Sequence, residues 1–249
     1  MNAFSFNSVK YNFWPLYEAI KLYYPIGIPH DSSLYINYPG IKNLTAVIIE
    51  NIHNSDNYNR NWVSFQKEIS QKFNIEVIGT TYGQAPSFSC DLIIENFEHN
   101  QLKRTKKLSL AVSLAGKFFT IYGVDETIIT DKNEDNFDSD FHAINALAVS
   151  PYKEFELVFK DLKSMVEAKF TSYKFVPFAI NSMFIKGLQV RYLFKEECTI
   201  YNALFNHLLD TYDTKKSPRG DKHYGYDDWL VEDYNPENDI NITLTPPNP

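Results

Sequence analysis

Leu108-Ser109-Leu110-Ala111-Val112-Ser113-Leu114, followed by Ala115-Gly116-Lys117 and then Phe118-Phe119-Thr120-Ile121-Tyr122-Gly123-Val124, is the stretch on which the fold class turns. Leu108, Leu110, Val112 and Leu114 alternate with Ser109, Ala111 and Ser113. Side chains two apart share one face of a strand, so this alternation predicts a half-buried strand. Ala115-Gly116-Lys117 reads as a turn, and residues 118–124 return as the partner strand of a β-hairpin. Strands joined by turns this short pair antiparallel.

Outward from the hairpin, residues 91–97 and 141–149 read as further strands. Short apolar runs at 45–49 and 75–78 read as two more. Helical spacing appears at four places. Residues 14–24 carry Leu16, Ala19, Ile20 and Tyr23 on one face, with Pro15 in the first turn. In residues 59–73, Trp62, Phe65, Ile69 and Phe73 form one stripe. From Ser150, expected as N-cap with Pro151 at the first helical position, Phe155, Val158, Phe159, Leu162, Met165, Val166 and Phe170 make a stripe that reads as core. Lys153, Lys160, Lys163 and Glu167 take the opposite face. Residues 199–209 read as a last helix, and residues 173–185 fit neither period. The expected fold is α+β, a mainly antiparallel sheet with a central hairpin, packed by three to four amphipathic helices.

The chain has 249 residues, 44% of them hydrophobic and 22% charged. A chain of this length buries roughly 70% of its unfolded surface and needs no metal or disulfide staple. No repeat or Gly/Ser linker divides it. Residues 1–209 are expected to form a single domain, with 210–249 a polar, acidic arm packing on it or extending from it. Cys90 and Cys198 are too few for a secreted disulfide framework and read as reduced, buried thiols. Lys10 and Asn12 interrupt the N-terminal apolar residues, and no run of about 18 apolar residues occurs anywhere. A cytoplasmic protein without membrane contact is expected.

Aromatic residues make up 16% of the chain. A coding bias toward A and T would raise Phe and Tyr together with Ile, Asn and Lys, all of which are abundant. The charge is more informative. The net charge is −7, yet residues 125–140 hold Asp125, Glu126, Asp131, Glu134, Asp135, Asp138 and Asp140 against Lys132 alone. Residues 223–249 hold Asp227, Asp228, Glu232, Asp233, Glu237 and Asp239 with no Lys or Arg. Two segments thus make an otherwise mildly basic chain acidic. Acidic segments repel nucleic acid and attract basic proteins.

The candidate chemical motifs fail on inspection. Asp131, Asn133 and Asp135 match positions 1, 3 and 5 of a calcium loop, but Asn136 and His142 stand where Gly and Glu are required. Asp221, His223, Asp227 and Asp228 suit a hard cation, without zinc-type spacing. Cys90 lacks any flanking nucleophile signature, and the Gly79–Gly83 turn lacks a phosphate-loop pattern. Residues 103–107, with four basic side chains, read as a solvated loop. No cofactor is expected.

The stretch Gly220-Asp221-Lys222-His223-Tyr224-Gly225-Tyr226-Asp227-Asp228-Trp229 sets Tyr and Trp beside charged groups, as interface hot spots do. With Glu232 and Asp233, and with Asp131, Glu134, Asp135, Asp138 and Asp140 of the first acidic segment, it forms the expected partner-binding set. On these two acidic segments and the aromatic stretch, the chain resembles bacterial immunity proteins that neutralise toxins. The resemblance covers general build only and carries over no residue. It implies a non-enzymatic antitoxin that blocks the active site or cleft of a basic cognate toxin. Two other classes remain open: a hydrolase whose His and Asp residues the fold assembles, and a phage or structural assembly protein. The oligomeric state is also open.

Overall fold

In a computed structural model of the protein, the residues described are 2–131, 139–208, 218–235 and 242–246. Along the chain, β1 (Phe6–Asn7) leads into α1 (Trp14–Tyr23), α2 (Ser33–Asn37) and α3 (Pro39–Ile48). After α4 (Ser55–Tyr58) come α5 (Ser64–Phe73) and the short β2 (Val77–Gly79). The long strands β3 (Ser87–His99), β4 (Leu102–Ser113), β5 (Phe118–Asp131) and β6 (Ser139–Ala148) follow. Then come α6 (Glu156–Lys169), β7 (Lys174–Phe175), α7 (Phe178–Asn181), α8 (Ile200–Leu204) and β8 (Thr243–Leu244), which pairs with β1.

The fold is α+β, as the alternation in β4 predicts. Strands β2 to β6 pair antiparallel in sequence order, and β7 joins β5 in parallel at Phe118 and Phe119. One face of the sheet presents Phe88, Cys90, Leu92, Leu108, Leu110, Val112, Phe119 and Ile121 to α5 and α6. The other presents Ala111, Tyr122, Val124, Ile144 and Leu147 to α1, α3, α7 and α8. The central hairpin is therefore buried on both faces, not on one. Ser109, Ala111 and Ser113 are buried, like Leu110 and Val112 between them. The small serines fit because their hydroxyls bond locally: Ser109 donates to Asp91, and Ser113 accepts from the Ala115 N–H.

Several local expectations are corrected. Residues 45–49 are not a strand. They complete α3, which Pro39 opens and whose Ile41, Leu44 and Ile48 form one buried stripe. Gly40 lets α3 reach α1, because a Cβ there would stand 2.4 Å from the Leu22 carbonyl oxygen. The basic run 103–107 is not a loop but the first half of β4. Ser150 caps no helix; α6 starts at Glu156 after a 3₁₀ turn over Lys153–Phe155. The helix read at 199–209 is shorter than expected: α8 ends at Leu204, and Thr199 closes a capping box with Asn202. The helix at 14–23 and the core stripe Phe159, Leu162 and Val166 of α6 stand as read, while the helix read over 59–73 is a π-helical turn over Asn59–Val63 followed by α5.

Both cysteines are buried, and neither forms a disulfide. Burial pushes the Cys90 thiol well above the ordinary range, so it is poorly suited to act as a nucleophile. No helix among the described residues is long and apolar enough to cross a membrane.

Candidate functional site

The four long strands outrun the helices. Beyond Leu108 and Val124 the sheet continues past the helices, first through a shielded band that includes Thr105, Asp125 and Glu126 and then into exposed residues at the strand ends. Register decides what this distal end presents. His99 lies opposite Leu102, Leu102 opposite Ile129, and Ile129 opposite Phe141. Directly opposed residues share a face. Phe97, two residues before His99, lies on the same face, and the two rings stack at 6.5 Å. The outcome is an apolar row across four strands, with Phe97 53%, Leu102 36%, Ile129 39% and Phe141 65% exposed. Large apolar side chains grouped on a surface mark interaction sites, whereas single ones do not.

An ionic band separates this row from the core. The Arg104 guanidinium grips Asp125 through Nε at 3.0 Å and Nη2 at 2.7 Å, and Asn145 donates to the same carboxylate. Lys106 meets Glu95 at 2.8 Å and Glu154 at 3.1 Å. On the opposite face Lys107 bridges Asp91 at 3.1 Å and Glu126 at 2.7 Å, and Glu126 also meets His142 at 3.0 Å. Arg104, Lys106 and Lys107 of the basic cluster are thus paired with carboxylates of β3, β5 and the turn before α6. Asp125 and Glu126 belong to this band, so the first acidic segment shrinks to residues 131–140.

Burial alone would push the Asp125 carboxyl up, but hydrogen bonds from Arg104 and Asn145 hold it below the usual range. A carboxyl depressed in the folded state adds stability at neutral pH, which is lost as pH falls through that lowered value. Asp125→Asn should therefore cost about 1–2 kcal/mol at pH 7 and reduce the acid sensitivity of stability. Urea unfolding at pH 7 and near pH 3 measures both effects; an unchanged pH slope would remove Asp125 as its source.

The structure separates the two acidic segments. Asp131 and Asp140 lie in the distal ends of β5 and β6, where Asp131 pairs with Ser139 and Asp140 with Thr130. Glu134, Asp135 and Asp138, together with the calcium-like positions 133, 135 and 136, lie outside the described residues. The Trp229 ring stands 6.1 Å from Phe118, at the other end of β5. That strand has 14 residues and spans about 45 Å at roughly 3.3 Å per residue. Among the described residues, the distal end of β5 at Asp131 and the 226–233 stretch therefore form no single compact patch.

The aromatics of the arm are also committed. Trp229 is buried, and its Nε1–H donates to the Phe175 carbonyl at 2.7 Å. It therefore faces the core and not a partner, which corrects its expected role. Tyr224 lies 5.7 Å from Phe159, and Tyr226 packs edge-on to Tyr11 at 4.9 Å and Phe13 at 5.1 Å. Burial raises the Tyr226 hydroxyl. Both rings are half-buried, because the arm fills a gap left by β7 and the N-terminal segment.

The polar members remain outside. Asp221 accepts from the His223 N–H, while its own N–H donates to Ser150 Oγ. That bond is the use found for Ser150. Gly220 makes it possible, having φ +86 and space where a Cβ would stand 2.3 Å from that oxygen. Asp228 stands 3.3 Å from Lys163 of α6. His223, Asp227, Glu232 and Asp233 are exposed. Among the described residues no three His, Cys, Asp or Glu side chains converge to hold a metal.

The apolar row escapes sequence reading. Phe97, Leu102, Ile129 and Phe141 are single apolar residues in polar surroundings, and only the strand register aligns them. No protein-family model, curated protein or solved structure matches the chain.

Proposed function

We propose that the chain is a non-enzymatic protein-binding module, an immunity protein that neutralises a basic toxin or effector, and that it binds through the distal end of the sheet. The observation that carries this reading is the exposed row Phe97, Leu102, Ile129 and Phe141 at the end of the sheet where β5 stops at Asp131 and β6 begins at Ser139, the two strands that the acidic segment joins in sequence. An apolar centre supplies contact energy, and flanking charge speeds encounter and selects a basic partner. Residues 131–140 contain Asp131, Glu134, Asp135, Asp138 and Asp140 against Lys132 alone. A second copy would bring the same acidic charge to the row, so self-association is disfavoured by repulsion.

The test is capture of a basic partner from the native host at low salt, followed by affinity measurement with the purified pair. Phe141→Ala combined with Phe97→Ala should weaken binding at least tenfold, with little change in stability because both side chains are already exposed. Neutralising Glu134, Asp135 and Asp138 together should slow association and flatten its salt dependence. Charge reversal at Asp227, Asp228, Glu232 and Asp233 serves as the comparison. If only those arm variants weaken the complex, the surface belongs to the arm and the sheet reading fails. A homo-oligomer dissolved by Phe141→Asp would instead indicate an assembly protein.

A further inference from the structure

A second feature lies at the other side of the molecule, between α3, the turn after it and the loops at Tyr82 and Arg191. It is a cleft of about 540 Å³, within the range of small-molecule sites. Ile41, Leu44 and Ile48 of α3 form its apolar wall, and Tyr82 and Tyr192 meet edge-on at 6.2 Å across from them.

Its polar groups fall into two kinds. The Tyr24 and Tyr35 hydroxyls at its base are engaged, donating to the carbonyls of Ala203 at 3.0 Å and Gln189 at 2.8 Å. Arg191, in contrast, is exposed and has no ion pair among the described residues. Among the described residues no Asp or Glu lines the cleft, in a chain whose net charge is −7. Among the described residues the one further ionisable lining group, besides Arg191 and the tyrosines, is His53. Its Nε2 lies 2.8 Å from the Gly83 carbonyl, which only accepts, so that nitrogen carries the proton and Nδ1 is the ring's other polar atom. His207 backs the two tyrosines, 5.2 Å from Tyr82 and 6.2 Å from Tyr192. Its Nδ1 is buried with no hydrogen-bond partner among the described residues. Such unsatisfied buried groups are few in folded proteins and call for an explanation.

We infer that this cleft binds an amphipathic monocarboxylate, an apolar body carrying one terminal carboxylate that pairs with Arg191. The aliphatic wall and the tyrosine rings take the body. The guanidinium, unopposed by any acid among the described lining residues, takes the charge through paired N–H donors. The shared chemistry admits a planar aromatic acid or a medium-length fatty acid. This site does not depend on the protein-binding reading and lies away from the apolar row.

Calorimetric titration of the purified full chain with indole-3-acetate and with octanoate tests it. At least one of the two should bind with sub-millimolar affinity, and which one does separates the aromatic from the aliphatic source. Where indole-3-acetate binds, indole-3-ethanol should bind at least tenfold more weakly. Arg191→Gln should remove that advantage while leaving the alcohol unaffected. Thr45→Trp, at an exposed α3 position on the cleft lining, should block acid and alcohol alike; circular dichroism checks that both variants are folded. The proposal is overturned if neither acid binds below millimolar concentration, or if acid affinity is the same in folded Arg191→Gln. Partner binding should be unchanged in Arg191→Gln, so the failure of one proposal does not imply failure of the other.

Discussion

Lys107→Met should destabilise the protein by about 3–5 kcal/mol, the range found when one partner of a buried ion pair is removed. Lys107 stands between two carboxylates, Asp91 at 3.1 Å and Glu126 at 2.7 Å. All three side chains are largely shielded, at 15%, 9% and 10% exposure. Methionine keeps most of the volume but leaves two acids facing each other across β4 without a counter-charge. Partial relief remains, because Ser109 still donates to Asp91 and His142 still meets Glu126. A simple loss of volume predicts that adding Asp91→Asn and Glu126→Gln to Lys107→Met would make matters worse. The charge argument predicts the reverse: the triple variant should recover part of the lost stability. Chemical denaturation of the single and triple variants decides between them. A Lys107→Met cost below about 1 kcal/mol would show the network to be as weak as ordinary surface pairs.

Trp229→Ala should cost about 3–5 kcal/mol, as large-to-small changes at fully buried aromatics do. The ring is 1% exposed, lies 5.0 Å from Phe13 and 6.1 Å from Phe118, and has Lys174 Nζ 5.0 Å over its face. Its removal opens a cavity where the N-terminal segment, β5 and the arm meet. It also strands the Phe175 carbonyl that the indole N–H reaches. The expected result is a lower denaturation midpoint, with faster hydrogen exchange around residues 219–235 before the sheet itself opens. Trp229→Phe should keep most of the packing and cost about 1–2 kcal/mol through the lost hydrogen bond. If Trp229→Ala were neutral, the arm would contribute nothing to the core.

These two residues show where sequence reading reaches and where it stops. The α+β class was legible, because period two in residues 108–114 and period 3.6 in residues 59–73 and 155–170 are local properties. Residues 45–49 misled because five apolar residues fit a strand as well as the end of a helix. Pro39 and the spacing of Ile41, Leu44 and Ile48 settle the matter only when the window is widened. The basic run 103–107 misled for a different reason. A charge cluster looks solvated until the partners that neutralise it are known, and here they come from β3, β5 and the turn before α6. Trp229 looked like a surface anchor because its neighbours in sequence are charged, while its neighbours in space are Phe13, Phe118 and Phe175.

What the sequence by itself determined is the class of fold, the two reduced cysteines and the placing of the acidic charge in two segments. Each follows from composition or from the spacing of residues close along the chain. Strand register and packing decided the rest: that Asp125 and Glu126 are spent on Arg104 and Lys107, that the two acidic segments stand at opposite ends of β5, and that Phe97, Leu102, Ile129 and Phe141 form one row. These pairings join residues far apart in sequence, and a shift of one residue in register would turn each of those side chains to the other face.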